Sequence, residues 1–145
     1  MIPLTGLYAI RALAVLGNNP TTGYIAASRL AKTVGAPPNY LGKLLQVLTR
    51  RGLVISQKGY SGGFRLARPA NEITLGEVVE CLQPLDRWWG CLLGKGECSE
   101  LQQCAVHKQW KEIRQQYLDL LWKTTLAQVN ADHPMENLEW PLFDG

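Results

Sequence analysis

Residues 38–68 read PNYLGKLLQVLTRRGLVISQKGYSGGFRLAR, and this stretch decides the fold. Proline is tolerated in the first turn of a helix and glycine commonly follows the last turn, so a helix is predicted from about Pro38 to just before Gly52. Four apolar side chains follow the i, i+3, i+4, i+7 spacing that gives a helix one buried face. They are Leu41, Leu44, Leu45 and Leu48.

The residues after this helix predict a short β-hairpin. The segments LVISQ (53–57) and FRLAR (64–68) have the composition of strands, and KGYSGG (58–63) between them is a glycine-rich turn. Glycines in such a tip let the backbone come close to a sugar–phosphate strand.

Two further helices are predicted upstream, from Leu7 to Leu16 and from Tyr24 to Thr33. A tight turn at residues 35–38 then leads into the helix that begins at Pro38. Helix, short turn, helix and hairpin together are typical of a winged helix-turn-helix, a DNA-binding architecture. In the second helix the residues expected to face inward are Ile25, Leu30 and Val34.

Downstream, Thr74 and Glu77 form a capping-box pattern that predicts a short helix ending near Leu82. A last long helix is predicted from about Ala105 to Val129, because apolar side chains recur there at alternating spacings of three and four. Such a helix is apolar on more than one side, which favours burial against a second copy in a symmetric dimer; burial within one chain stays open. The repeating positions are Trp110, Ile113, Tyr117, Leu120, Thr124 and Ala127.

The predicted fold class is therefore mainly α with a small β-hairpin wing, a winged helix-turn-helix followed by a long C-terminal dimerisation helix. Trp140 and Phe143 could dock the last segment on the domain. The predicted division is a DNA-binding domain (1–83), a cysteine-containing loop (84–104), a dimerisation helix (105–131) and a C-terminal tail (132–145).

Charge is segregated along the 145 residues. Residues 1–70 contain nine Lys or Arg and no Asp or Glu, a charge of +9, whereas residues 71–145 contain six basic and twelve acidic side chains, a charge of −6. A half-chain without acids is expected where the molecule faces a polyanion, with a chance basic surface as the alternative. The side chains predicted for the major groove are Asn39, Tyr40, Lys43 and Gln46; those for phosphates are Arg50, Arg51, Lys58 and Arg65; and the wing tip adds Tyr60, Ser61 and Gly62.

Three of the four cysteines, Cys91, Cys98 and Cys104, are separated by six and then five residues, and His107 follows. They could pack in the core, form disulfides, bind zinc or hold an iron–sulfur cluster. The N-terminus lacks the features of a secretory signal and no apolar run approaches the ~20 residues of a membrane span, so a cytoplasmic location with reduced thiols is expected. Zinc sites usually show tighter cysteine pairs, so the spacing favours a cluster over zinc without excluding zinc.

Other polar residues near the cysteines have alternative roles. Instead of His107, the fourth ligand could be Glu97, Glu100 or Asp86. Cys81 is expected to be a small buried side chain and His133 to be exposed to solvent.

No acid–base pair, phosphate loop or activated nucleophile is evident, so no enzyme is predicted. The tryptophans that flank the segment, and that could shield a cluster or pack in the core, are Trp88, Trp89 and Trp110.

The chain resembles the winged-helix regulators of the IscR/NsrR/RirA type, grouped as the Rrf family. The likeness is carried by LYAIRALAVL, NYLGKLLQVLTRRGLV, KGYSGGFRLAR, ITLGEVVECL and the three cysteines. The resemblance implies a dimeric bacterial transcription factor that binds a palindromic promoter site on double-stranded DNA. It also implies an iron–sulfur cluster, [2Fe–2S] or [4Fe–4S], held by the three cysteines, with His107 at the fourth-ligand position of the IscR branch.

The sequence departs from that family in several places, among them a shorter segment after Leu4-Thr5. The first cysteine gap is six residues, where the best-known branches have five or seven. Tyr8 or Ala9 stands where one branch has an acidic ligand, and Gly42 stands where IscR-like proteins carry a discriminating Glu. Two rivals remain from the residues themselves: a zinc-stabilised winged-helix regulator, and a small iron–sulfur carrier or electron-transfer protein.

Overall fold

The computed structural model describes residues 2–19, 23–85, 90–94 and 96–140. The predicted fold class is confirmed, since helices dominate and the described part of the chain has one two-stranded antiparallel sheet, which follows the third helix. The elements are α1 (Leu4–Gly17), α2 (Ala27–Val34), α3 (Pro38–Arg50), β1 (Val54–Gln57), β2 (Gly63–Leu66), α4 (Leu75–Leu82), α5 (His107–Lys123) and α6 (Leu126–Asn130), with 3₁₀ turns at Ala70–Glu72 and Met135–Asn137.

Helix α3 buries the predicted apolar stripe. Leu41, Leu45 and Leu48 have no exposed surface, and Leu44 is also buried. They pack in one core with residues of α1 and α2 such as Leu13 and Leu30. Burying each such side chain contributes about 1.5–3 kcal/mol, so this face fixes how α3 sits on the domain and which of its sides stays in solvent.

The wing is the antiparallel pair of β1 and β2, with Val54 opposite Leu66 and Gln57 opposite Gly63. Phe64 of β2 also pairs with Ile25, through Ile25 N to Phe64 O at 2.9 Å and Phe64 N to Ile25 O at 2.8 Å. Gly63 has a φ of +150°, and a Cβ there would lie 2.3 Å from the Ile25 carbonyl oxygen. Only glycine therefore allows the hairpin to pack this closely on the segment before α2.

That pairing corrects the predicted start of the second helix. The sequence predicts a helix from Tyr24, but α2 begins at Ala27. Residues 24–26 lie outside the helix instead, because the backbone of Ile25 is hydrogen-bonded to the wing. Leu30 and Val34 are fully buried as predicted, while Ile25 is half-buried and packs against the core.

The predicted capping box of α4 is confirmed. Thr74 Oγ accepts from the Glu77 N–H at 3.2 Å, and Glu77 Oε2 accepts from the Thr74 N–H at 2.9 Å. Arg68 adds an ion pair to Glu77 at 2.7 Å. Burial alone would raise the pKa of Glu77, but the hydrogen bond from Thr74 and the contact with Arg68 outweigh it and hold that pKa below its ordinary value.

The prediction of one helix from about Ala105 to Val129 is wrong. Helix α5 ends at Lys123, and Thr124 takes an extended conformation before α6 begins at Leu126. The physical reason is a tertiary contact, because Leu75 N donates to Thr124 O at 2.9 Å and Leu126 N donates to Ile73 O at 2.9 Å. Thr125 and Gln128 then form a second capping box, which restarts the helix.

Helix α5 is anchored to α4, and helix α6 to α1. A Cβ at Gly76 would lie 2.5 Å from the ring of Trp122, so this ring lies directly on the α4 backbone. Asn130 Nδ2 donates to the Ala14 carbonyl of α1 at 2.7 Å. The guanidinium of Arg11, on α1, lies 3.9 Å from the ring centroid of Trp140, which therefore docks as the sequence suggests; Phe143 lies outside the described residues.

No helix in the described ranges is both long and apolar enough to cross a membrane. His133, which the sequence predicts to be exposed to solvent, is exposed.

Candidate functional site

The outer face of α3 carries the polar residues predicted for the major groove. Asn39, Lys43 and Gln46 are exposed, and so are Arg50 and its neighbour Arg51. They are presented together because the leucines of the opposite face are buried. The face has no acidic side chain. A Cβ added at Gly42, within this face, would meet nothing within 4 Å, so the helix surface there is open.

Tyr40 has a second role that the sequence pattern does not reveal. Its hydroxyl donates to Thr5 Oγ at 3.1 Å, and its ring meets Tyr8 edge-on at a centroid distance of 6.0 Å. The side chain thus joins the start of α3 to the start of α1, although about 41% of its surface is exposed. Tyr40 therefore anchors the start of α3 on α1.

The wing tip projects into solvent. Lys58, Tyr60 and Ser61 are exposed, and Gly62 is half-exposed. Arg65 differs from them, since it lies within β2, is half-buried and stands over the ring of Tyr24 at 5.2 Å. Its Nε is buried without a hydrogen-bond partner in the described part of the chain. Tyr24 is a contact that sequence reasoning missed, and no pattern around it signals one.

The cysteine segment is a small hairpin followed by a turn. Cys91 N donates to Gly96 O at 2.7 Å, and Gly94 N donates to Cys91 O at 2.9 Å. Gly94 and Gly96 have φ values of +77° and +93°, a conformation that favours glycine. The hairpin is attached to α5 where Trp110 Nε1 donates to the Gly90 carbonyl at 3.1 Å.

The four predicted ligands are arranged as two pairs. Cys91 Sγ lies 3.9 Å from Cys104 Sγ, and Cys98 Sγ lies 3.2 Å from His107 Nδ1. All three cysteines are half-buried and carry reduced thiols. Among the described residues, no group of three or more His, Cys, Asp or Glu side chains is close enough to hold one metal ion. The segment thus assembles the donors without closing them around a single point.

His107 is the first residue of α5 and is buried. Its Nε2 has no hydrogen-bond partner among the described residues, although Glu100 Oε2 lies 3.6 Å away. Glu100 is held by Lys111, and that contact keeps the pKa of Glu100 below its ordinary value. Among the other possible ligands, Glu97 is exposed at the hairpin bridge with Gly90. Asp86, with the flanking Trp88 and Trp89, lies outside the described residues.

The chemistry of this donor set fits an iron–sulfur cluster or a zinc ion. Three thiols and one imidazole are the ligand types that both groups accept. A buried imidazole nitrogen without a partner is costly, and His107 has one within the described ranges. Cys81 does not belong to the set, because it lies on α4 against the core and burial raises the pKa of its thiol.

A groove of about 1190 Å³ runs between α4, the cysteine hairpin and α5. Cys98 opens onto it, and Leu118 and Trp122 line its apolar side. Elsewhere on α5, Ile113 and Leu120 expose 57% and 58% of their surface. These two residues belong to the predicted apolar seam, and they are the two of its six residues that are exposed in the single chain, whereas Tyr117 packs against the core.

Residues 4–132 match the family described as Rrf2, an iron-dependent transcriptional regulator. The chain belongs to the Rrf2 family. It is 29% identical over 124 residues to the HTH-type transcriptional regulator IscR of Klebsiella pneumoniae strain 342. The matched segment covers 86% of this chain and 76% of IscR. It is 35% identical over 124 residues to an Aquifex aeolicus protein provisionally assigned as an HTH-type regulator, covering 84% of this chain and 85% of that protein.

Solved structures give the same result for the fold. CymR, the global cysteine regulator of B. subtilis, superposes with a TM-score of 0.77 at 25% identity, covering 90% of this chain and 96% of CymR. T. potens IscR superposes with a TM-score of 0.73 at 23% identity, covering 97% of this chain and 93% of IscR, which bears on the fold alone. The Rrf2-family chain is thus a DNA-binding transcriptional regulator of winged-helix fold; the family consists of regulators rather than enzymes.

Proposed function

We propose that this Rrf2-family protein is a homodimeric, sequence-specific regulator whose affinity for promoter DNA is switched by an iron–sulfur cluster. The proposed ligands are Cys91, Cys98 and Cys104, with His107 as the fourth. The observation that carries the proposal is the placement of three half-buried thiols and a buried imidazole, with Nε2 unpartnered among the described residues, in one segment at the start of α5. The cluster would supply an oxidisable and removable metal–sulfide centre that ties these side chains to one another.

The proposed DNA-binding face consists of the outer side of α3 and the wing. Asn39 and Gln46 are suited to base edges because amides pair with adenine, and Lys43 to a guanine. Arg50, Arg51 and Lys58 are suited to phosphates, which position the protein on the duplex without reading its sequence. The absence of acidic residues in the first 70 positions supports this division of roles, because no carboxylate opposes the approach of DNA. Tyr40, Tyr60, Ser61, Gly62 and Arg65 complete the proposed interface.

The proposed partner is a second copy of the chain, bound along α5. A single winged helix reads one half-site, whereas a two-fold dimer places two recognition helices in successive major grooves about 34 Å apart. Ile113 and Leu120 are apolar, exposed and on the same face of α5, as an interhelical seam requires. The groove beside Leu118 and Trp122 adds a concave apolar surface next to the cysteine segment.

The route from the cysteines to DNA passes through α5 and α4. The hairpin is bonded to α5 by Trp110, and the far end of α5 rests on α4 through Trp122 against Gly76. Helix α4 packs in the same core as α3, through Val78 and Val79. A change in the order of the segment 90–104 would therefore tilt α5 and alter the spacing of the two recognition helices in the dimer.

Anaerobic purification tests the cluster directly. The wild-type protein is expected to show visible absorption bands together with iron and acid-labile sulfide, and Cys98→Ser is expected to lose them. Cys81→Ser is the matched control, since this cysteine lies on α4, and it should retain them. A colourless wild-type protein with one zinc per chain would replace the proposal with the zinc-stabilised regulator, whose Cys₃His ligand chemistry fits equally well.

Membership of the Rrf2 family removes the support for the small carrier or electron-transfer protein, because the family's members regulate transcription.

A further inference from the structure

We propose that Cys91 and Cys104 are a modification site of their own, a thiol pair that closes to a reversible intramolecular disulfide when no cluster is bound. The cluster-related part of this inference rests on the proposed function, whereas the pairing itself rests on the geometry of the reduced thiols. The two Sγ atoms are 3.9 Å apart, although 12 residues separate the cysteines in sequence.

The distance makes this pair the natural one among the cysteines of the segment. A disulfide holds its sulfur atoms at about 2.05 Å, so an approach of roughly 2 Å converts the contact into a bond. Cys98 is directed elsewhere, since its sulfur lies 3.2 Å from His107 Nδ1. Cys81 is packed on α4 against the core. The structure therefore distinguishes one pair among the six that four cysteines allow.

The chain on the Cys91 side can make the required movement. Cys91 lies in a hairpin whose turn contains Gly94 and Gly96, and the neighbouring Leu92 and Leu93 expose more than half of their surface. Cys104, in contrast, is fixed to the start of α5 by the hydrogen bond from His107 N to its carbonyl at 3.0 Å. The bond would form by movement of the hairpin towards the helix.

The oxidant is a peroxide, and the step balances with hydrogen peroxide. One thiolate attacks the peroxide and becomes a sulfenic acid as the O–O bond breaks. The second thiol then attacks that sulfur, the S–S bond forms and water leaves. In total two thiols and one hydrogen peroxide give one disulfide and two waters, with the two sulfur atoms oxidised and the peroxide reduced.

The disulfide and the proposed cluster exclude each other, because both use the sulfurs of Cys91 and Cys104. Oxidised protein would be unable to take up a cluster until a thiol reductant reopens the bond. The segment would then report peroxide separately from cluster supply.

Peptide mapping of the full-length, cluster-free protein tests the pairing. The protein is reduced, desalted and treated with hydrogen peroxide, then alkylated and unfolded. We expect alkylatable thiols to fall from four to two and the intact mass before alkylation to fall by about 2 Da, both reversed by a phosphine. Trypsin and a Glu-specific protease cut after Lys95, Glu97 and Glu100, which places the three cysteines in separate peptides.

The expected crosslinked species joins the Cys91 peptide to the Cys104 peptide. Cys98→Ser should retain this crosslink, and Cys104→Ser should keep all its remaining thiols reduced. A crosslink that contains Cys98, a dimer joined between chains, or four thiols still alkylated after peroxide would each overturn the inference.

Failure of this inference is distinguishable from failure of the proposed function. A protein that forms the crosslink but never binds iron would contradict the cluster proposal and support the disulfide. A protein that binds a cluster, yet shows no crosslink after cluster removal and peroxide treatment, would overturn the disulfide alone.

Discussion

In α3 the side chains of Leu41, Leu45 and Leu48 are completely buried, whereas in the cysteine segment Leu92, Leu93 and Leu101 expose 56%, 59% and 95% of their surface. The first region is held by apolar burial, which the chain supplies itself. The second is held by a few backbone hydrogen bonds and by contacts among polar side chains. A segment with so little apolar anchorage can change its shape at small cost, which suits a region that responds to a ligand.

The largest expected effect comes from Leu45→Ala in the first region. Removing a fully buried leucine should lower the free energy of unfolding by about 2–5 kcal/mol, because transfer energy is lost and a cavity is left. Leu101→Ala is the matched change in the cysteine segment and should stay within about 0.5 kcal/mol of wild type. Urea unfolding followed by circular dichroism measures both. Similar losses of unfolding free energy for the two variants would show that α3 and the cysteine segment do not differ in apolar burial.

The contact between α4 and α5, which lies on the proposed route from the cysteine segment to α3, is tested next by Gly76→Ala. Alanine normally stabilises a helix interior relative to glycine, yet here its Cβ would meet the Trp122 ring at 2.5 Å. We expect a loss of about 1–2 kcal/mol in unfolding free energy from this overpacking.

Gly42→Ala in α3 is the control for that prediction. Its Cβ would have nothing within 4 Å, so the same substitution should stabilise the protein by about 0.5–1 kcal/mol. Stabilisation by Gly76→Ala would mean that Trp122 does not rest on α4 in solution.

The two capping boxes, at the starts of α4 and α6, should differ in how their contribution to stability depends on pH. Glu77→Ala should cost about 1 kcal/mol at pH values above the ordinary glutamate pKa, because it removes the carboxylate that accepts from the Thr74 N–H and pairs with Arg68. The pKa of Glu77 is lowered in the folded state. The stabilisation that its carboxylate contributes is therefore fully present above about pH 4.5, the ordinary pKa, and is lost as the pH falls through the folded pKa.

Gln128→Ala, in the box of α6 that a neutral amide completes, is the matched variant and should show no such pH dependence. Urea unfolding at pH 7 and at pH 3 compares the two. A cost for Glu77→Ala that stays constant over this range would contradict the role given to the Glu77 carboxylate.

The helices and the wing could be predicted from the sequence because local patterns and core burial agree there. The spacing of Leu41, Leu44, Leu45 and Leu48 predicts α3, and Thr74 with Glu77 predicts the start of α4. The break at Thr124 could not be predicted, because it depends on hydrogen bonds to Ile73 and Leu75, which are about 50 residues away along the chain.

For the candidate site too, the sequence predicts some features and tertiary contacts decide the others. The spacing of the cysteines and His107 predicts that they share one segment, and it does not predict their arrangement as two pairs. That arrangement depends on where the hairpin meets α5, through Trp110 and Gly90, a contact without a sequence signal. The second role of Tyr40, its bond to Thr5, is invisible for the same reason.

The smallest expected effect concerns charge. Lys58→Ala in the wing should weaken binding to all DNA sequences alike and lower the salt slope of log Kd by about 0.9, the value for one phosphate contact. Lys123→Ala, in the acidic half beside Asp119, is the control and should leave the slope unchanged. Fluorescence anisotropy between low and moderate salt measures it. A change in sequence preference with an unchanged slope would contradict the assignment of Lys58 to a phosphate.

The most direct test of the account is the affinity of one anaerobic preparation for a palindromic promoter fragment before and after cluster removal by a chelator. The account predicts that Kd changes by about 5- to 150-fold, the usual range for coupling between two sites. It also predicts that Cys98→Ser behaves like the cluster-free protein in both samples, while Cys81→Ser behaves like wild type. An iron-loaded protein whose Kd is the same with and without its cluster would contradict the account.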